Sequence, residues 1–289
     1  MNKFRQRCNH ILEDNRNGAT FIVERLIDLF SDMARDLPYL DAGSKIRQYA
    51  REALAAHPSM AQVINLCRDL LETEGQAEAL GASLDRWRVS LRLQNKQTVG
   101  YGRSTLAGYP RIFTLSASRL VHDSLTELGE DTEVFISESR PVNEGLKIVN
   151  SLRVAVTLTV DAALPGLLRE GDCVIIGCDC LTIAGVVNKI GSYPLALAAK
   201  EVGVPVYVLC PTSKILRPDR ARFYRIVDHP VEELGHDVPK KVTIRNRYFE
   251  TVPQNLIQAV ITEHGVMSVS QIFSGVMDMF SGFGGEAAG

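Results

Sequence analysis

Apolar residues in the first hundred positions recur at intervals of three and four. Ile22, Leu26 and Leu29 share a stripe, with Phe30 and Met33 beside it. Met60, Ile64, Cys67 and Leu71 repeat the spacing, as do Leu80, Leu84, Trp87 and Leu91. That period belongs to helices burying one face. Breaks are expected at Leu37-Pro38, at His57-Pro58 and near Gly75, because proline and glycine interrupt a helix. The stretch Gly100–Tyr109, with Gly100, Gly102 and Gly108, reads as a linker.

From Arg111 the rhythm changes. Short runs rich in Val, Ile and Thr occupy Arg111–Leu115, Glu133–Ser137, Val154–Thr159, Cys173–Gly177 and Pro205–Leu209. Helical segments are expected between them at Ser118–Leu128, Asn143–Leu152 and Ser192–Val202. Continuous apolar strands alternating with helices imply a parallel sheet covered on both faces. A further strand is expected near Lys241–Ile244 and a helix from Pro253 to His264. The glycine- and alanine-rich tail from Ser281 to Gly289 reads as frayed. The predicted fold is therefore α/β: a helical domain over residues 1–99, then a Rossmann-like, doubly wound parallel sheet domain over 100–289 with a flexible tail at 281–289.

Composition narrows the function. The 289 residues are 45% hydrophobic with a formal net charge of −2, which suits a globular chain and argues against direct nucleic-acid binding, where a basic stripe is the rule. No run of about 18 apolar residues suggests a membrane span. The six cysteines form no C-x-x-C pair, so a reducing cytoplasm is the expected setting. No G-x-G-x-x-G or Walker A loop is present, and Cys178 and Cys180 lack companion ligands for zinc. No metal or cofactor is expected. His122, on a predicted helix, reads as structural.

In open parallel sheets, ligands lie beyond the carboxyl ends of the strands, which singles out the residues that follow each run. After the first come Ser116, Ala117, Ser118 and Arg119 at a helix start. Two readings stay open: Ser118 as a helix cap, or the group as an anion site. After the second run, Glu138 and Arg140 sit two apart on extended chain and point to one side. The fourth ends in Gly177-Cys178-Asp179-Cys180, and a loop leads on to Asn188, Lys189, Gly191 and Ser192. Asp179 follows apolar residues, and burial would raise its pKa towards proton-transfer chemistry. Lys189 could hold a phosphate and Asn188 a hydroxyl, and the helix opening at Gly191-Ser192 could face an anion as well. Near the N-terminus, Gly18 and Ala19 open the second helix.

Several stretches resemble a known family: FISESRPVNEG (135–145), VDAALPGLL (160–168), VIIGCDCLTIAGVVNKIGSYPLALAAK (174–200), FETVPQNLIQAVITEHGV (249–266) and, less specifically, NGAT (17–20). They are similar to the family that joins the alpha, beta and delta subunits of translation initiation factor 2B to methylthioribose-1-phosphate isomerase and ribose-1,5-bisphosphate isomerase. The resemblance implies a helical domain before a Rossmann-like one, and dimers or larger oligomers formed through the C-terminal domain. In the isomerases, a Thr-His-Cys segment supplies a catalytic thiol and an aspartate is its partner. The aspartate matches Asp179, and the substrate-contacting Asn-Lys pair matches Asn188 and Lys189. The thiol has no match, because the segment here is Thr114-Leu115-Ser116. A hydroxyl is a far weaker acid than a thiol with a pKa of about 8.5, so Ser116 is no substitute base. The Ser-Arg pair at 118–119 is closer to the initiation-factor subunits.

The resemblance implies, first, a protein like the factor 2B regulatory subunits that binds a sugar phosphate or nucleotide monophosphate. Gly18, Ala19, Ser116, Ser118, Arg119, Arg140 and Lys189 would contact phosphate; Asp179 and Asn188 would read hydroxyls. The alternative is an aldose–ketose isomerase of a sugar 1-phosphate, with Asp179 as acid and Ser116 in place of the cysteine. A third reading is an assembly subunit with a vestigial pocket.

Overall fold

A computed structural model describes residues 2–74, 77–235, 239 and 241–281. Five helices open the chain: α1 (Asn2–Leu12), α2 (Ala19–Asp36), α3 (Tyr39–Ala56), α4 (Ala61–Glu72) and α5 (Ala77–Leu106). The stripe read from the sequence is their core. Ile22, Leu26, Phe30 and Met33 are fully buried with Ile46, Leu66 and Leu84. Each such side chain is worth roughly 1.5–3 kcal/mol of burial. The stretch expected as a linker is helical as far as Leu106. Gly102 is there for close packing: a Cβ on it would lie 2.7 Å from Ser124 Oγ and 2.9 Å from Leu209 Cδ2.

The sheet strands are β1 (Arg111–Thr114), β2 (Glu133–Ser137), β3 (Ala155–Thr159), β4 (Cys173–Ile176), β7 (Val206–Leu209), β9 (Ala259–Thr262) and β10 (Gly265–Met267). They lie in the order β10-β9-β7-β4-β1-β2-β3, with every neighbouring pair parallel except β9–β10. The helices around this sheet are α6 (Arg119–Leu125), α7 (Leu146–Val149), α8 (Ser192–Glu201) and α9 (Val269–Ser281). Progression turns one way from β1 to β2 and β3, and the other way from β4 to β7 and β9. The crevice between β1 and β4 is thus the topological switch point, where this fold class binds ligands.

A second sheet went unread in the sequence: β5 (Cys180–Thr182), β6 (Gly185–Lys189) and β8 (Phe249–Pro253), all antiparallel. Residues 185–189, where no strand is expected, form its central strand. The expected helix from Pro253 to His264 is instead the end of β8, a 3-10 turn at Gln254–Leu256, and β9. Its Ala259-Val260-Ile261-Thr262 run is wholly buried, and a short apolar run fits a buried strand and a buried helix equally by period. Residues 242–246 are irregular, so the expected strand at Lys241–Ile244 does not form; an isolated bridge joins Asp228 to Arg247 instead. Only Leu146–Val149 of the expected helix at Asn143–Leu152 is α-helical. Ser281 ends α9, and the rest of the tail lies outside the described residues. No described helix is long and apolar enough to cross a membrane.

Candidate ligand-binding site

A cavity of about 230 Å³ opens at the switch point, where the helical layer meets the sheet. Three chain segments converge there for separate reasons. The first follows β1. Ser116 has a φ of +71°, a left-handed conformation that costs a non-glycine residue about 1–2 kcal/mol. Its N–H donates to Ser139 Oγ at 2.7 Å, and its hydroxyl donates to Glu144 Oε1 in a very short bond. Ser139 and Asn143 also have positive φ. Strain of this kind concentrates at functional sites.

The second segment is the turn after β2, pinned by Asp161. Its carboxylate accepts the N–H groups of Ser139 at 2.9 Å and Arg140 at 2.8 Å. The chain then folds back so closely that a Cβ on Gly145 would lie 2.0 Å from the Ser137 carbonyl oxygen. This fold-back presents Glu144, buried to 9% exposure, to the cavity. Glu138 and Arg140 do not line it. The Arg140 guanidinium reaches the Leu234 carbonyl at 3.2 Å instead.

The third segment comes from the small sheet. The β5–β6 hairpin pairs Cys180 with Val187, and the Asp179 N–H donates to the Val187 carbonyl at 2.9 Å. That register sets Asp179 beside Asn188 and Lys189. Before it, a Cβ on Gly177 would lie 2.6 Å from Ser118 Oγ, so glycine lets the two strand ends close on each other. Ser118 makes no side-chain cap to α6, which removes the plain capping reading. Gly18 and Ala19, at the start of α2, line the opposite wall. Arg119 sits on the rim, 57% exposed and paired with Glu24 at 2.8 Å. Thus Gly18, Ala19, Ser116, Ser118, Arg119, Asp179, Asn188 and Lys189 share one cavity.

The electrostatics are unusual. Lys189 is almost fully buried, and its Nζ has no hydrogen-bond partner. Glu144 Oε2 lies 3.5 Å away and the Tyr248 ring centroid 4.4 Å. Desolvation lowers the Lys189 pKa from its ordinary value, and Glu144 opposes this. Burial raises the Asp179 carboxyl above the usual range; the Lys214 charge opposes, Glu144 adds to the rise, and the Ala19 N–H opposes as a hydrogen-bond donor. Two further polar atoms on the walls lack partners: Thr20 Oγ1 and His229 Nε2. The His229 ring stacks on Tyr248 at 3.8 Å. Buried polar groups are nearly always bonded, and three such atoms without partners belong to residues lining this one cavity.

One further expectation is corrected. The start of α8 does not face the cavity as a free anion site, because Glu250 of β8 accepts the Gly191 and Tyr193 N–H groups at 2.7 and 2.8 Å. Asn188 gives its amide N–H to Ser192 Oγ at 2.9 Å, which leaves its carbonyl oxygen as the group free to bond. Cys178 lines the cavity, but burial and a bond with Cys210 push its thiol well above the ordinary value. A readily formed thiolate is therefore absent there.

Sequence reading missed Glu144 and Lys214. Glu144 stands beside a glycine whose fold-back cannot be foreseen from the string alone. Lys214 follows β7, so the rule of inspecting each strand end, extended to the fifth run, would have found it.

Three comparisons bear on this geometry. A translation initiation factor eIF-2B subunit 2-like protein of Pyrococcus furiosus is 28% identical over 268 residues, covering 89% of this chain and 95% of its own. A methylthioribose-1-phosphate isomerase of Syntrophotalea carbinolica is 30% identical over 239 residues, 77% of this chain and 67% of its own. The crystal structure of translation initiation factor eIF-2B from Pyrococcus horikoshii superposes with a TM-score of 0.80 at 24% identity, covering 92% and 97% of the two chains. It is a likeness of fold. With residues 19–269 matching it as a whole, the chain belongs to the initiation factor 2 subunit family.

Proposed function

We propose that the cavity binds a small phosphorylated metabolite, a sugar phosphate or nucleoside monophosphate, and that the protein acts as an initiation factor 2B-type subunit whose state depends on that ligand. One observation carries the reading: an ammonium group, Lys189 Nζ, is buried at the cavity wall without a hydrogen bond. A buried ammonium with no hydrogen bond is costly even with the Glu144 carboxylate 3.5 Å away, and a phosphate oxygen is the partner that would complete its bonding. Lys214, Arg119 and the start of α2 add positive potential around the same space. Asp179 and the Asn188 carbonyl suit sugar hydroxyls. The volume fits a monophosphate better than a dinucleotide.

Assembly through the C-terminal domain belongs to the same proposal. Supporting it, β3 is the outer strand of the sheet, Leu158 and Val160 at its end are 44% and 53% exposed, and Tyr193 and Leu197 leave an apolar face on α8. Edges of this kind are usually covered. Six free, buried cysteines support a reducing, cytoplasmic setting.

The test is thermal unfolding with ribose 5-phosphate, ribose 1,5-bisphosphate, 5-methylthioribose 1-phosphate and AMP, each at millimolar concentration. At least one should raise the Tm of the native chain, and Lys189→Met should abolish the rise. No shift with any of them would leave the vestigial-pocket reading standing. A second reading, isomerisation of a sugar 1-phosphate, is favoured by the Glu144 carboxyl, which lines the cavity together with Asp14 and Asp179.

A further inference from the structure

The isomerase reading has an obvious gap: where the enzymes it resembles carry a thiol, this chain has a serine. The structure supplies another group at the same spot. Glu144 lies directly behind Ser116, gripped through Oε1 by the serine hydroxyl and facing Lys189 through Oε2. It lines the cavity with Asp179. The two carboxyls have different surroundings. Asp179 sits in a desolvated corner that favours its neutral form; Glu144 has the Lys189 ammonium and the Ser116 hydroxyl beside it. Paired carboxyls in contrasting environments divide into acid and base.

We propose that Glu144 is the base, and Asp179 the acid, of an aldose-to-ketose proton shift on a furanose 1-phosphate. The assignment rests on the reading of the cavity as a sugar-phosphate site. Ser116 is then a positioning residue: its strained backbone aims a hydroxyl that fixes the carboxylate. In the first step Glu144 removes the proton on C2 while the bond from C1 to the ring oxygen breaks and Asp179 protonates that oxygen. The product is the enol phosphate, with a C1–C2 double bond. In the second, the Glu144 carboxyl, its proton now exchanged with solvent, protonates C1, and Asp179, now ionised, takes the proton of the C2 hydroxyl. A ketone forms at C2, the phosphate ester stays on C1, and both carboxyls regain their starting states. No oxidant or metal is consumed.

The experiment follows 5-methylthioribose 1-phosphate and ribose 1,5-bisphosphate by proton and phosphorus NMR in D2O, with native protein and Glu144→Gln. Glutamine can still accept the Ser116 hydrogen bond, and Glu144→Asp serves as the conservative control. The expected result is conversion of one substrate to the ketose with deuterium at C1. Glu144→Gln should be slower by about a thousandfold, within the span assigned to general bases. Glu144→Asp should keep part of the rate. Glu144→Gln turning over within tenfold of native would overturn the proposal, as would product free of deuterium, the mark of a direct hydride shift. Binding without turnover by the native chain would overturn Glu144 as base and leave the binding function standing. Absence of binding would remove the cavity reading itself.

Discussion

Two buried cations, both contributed by the C-terminal half, meet opposite fates. Arg220, 1% exposed, donates to Asp69 at 2.5 Å, Glu72 at 2.9 Å and the Asn65 carbonyl at 2.9 Å, all on α4. Around it, Asn65 gives its amide to the Ser213 and Ile215 carbonyls, so the helical layer is laced to the sheet domain. Lys189 is buried as deeply and has no hydrogen bond. A guanidinium whose two terminal nitrogens are both bonded is an anchor. An ammonium held dry beside a cavity, with a carboxylate 3.5 Å off, is poised for something else. The difference teaches that burial alone does not tell an anchor from a candidate ligand contact; the bonds made by the charged nitrogens separate the two.

Arg220→Ala breaks the contrast most severely. It should cost about 2–4 kcal/mol, the range for breaking a buried pair discounted because Asp69 and Glu72 remain partly solvated. Urea unfolding would read this as a lower midpoint, and loss of coincidence between probes of the two domains would show the seam opening. A midpoint unchanged within error would refute the anchor role.

Gly177→Ala tests whether the cavity depends on close approach. Its methyl would meet Ser118 at 2.6–2.8 Å, an overpacking worth about 1–3 kcal/mol. Stability and ligand-induced Tm shift should fall together. If binding survives intact, the two strand ends can separate without harm to the site.

Lys189→Met should separate the two cations. Folding stability should fall by roughly 1–2 kcal/mol, less than at Arg220, since Met keeps the packing but leaves Glu144 without its ion-pair partner 3.5 Å away. Phosphate-ligand affinity should fall roughly tenfold to a hundredfold, the worth of one charge-assisted bond. Isothermal titration with whichever sugar phosphate gives the Tm shift measures it. A large loss of stability with affinity unchanged would make Lys189 another anchor.

The smallest effect concerns Asp179. Burial raises its pKa above 3.8 in the folded chain, so the native state binds that proton more tightly than the unfolded one. Its contribution is fully present below the unfolded value and is lost as pH rises through the folded value. Asp179→Asn stays neutral throughout and should be more stable than the native chain at pH 7. The gain should vanish below pH 3.8. Unfolding across pH 3–8 checks the sign; a loss at neutral pH would mean that the ionised carboxyl is stabilising.

Much of this molecule was legible in the string because it rests on local physics. The period of three and four along Ile22, Leu26, Phe30 and Met33 dictates a helix face. The Val- and Ile-rich runs ending at Leu115, Ser137 and Gly177 dictate buried parallel strands, and the ends of such strands point to the site. Asp179, Asn188 and Lys189 stood out because polar residues rarely close an apolar run without purpose. What tertiary structure alone decided was nonlocal. The β5–β6 hairpin, whose register brings Asp179 beside Lys189, pairs with β8 some sixty residues on, and alternation over three to five residues is too short to announce it. Glu144 rather than Glu138 faces the cavity because Asp161, itself from another strand end, clamps the intervening turn. Gly102 looked like a break and is a contact. The sequence states which residues can carry charge into an apolar setting; only the folded chain states which of those charges find partners, since a partner is chosen by distance in space.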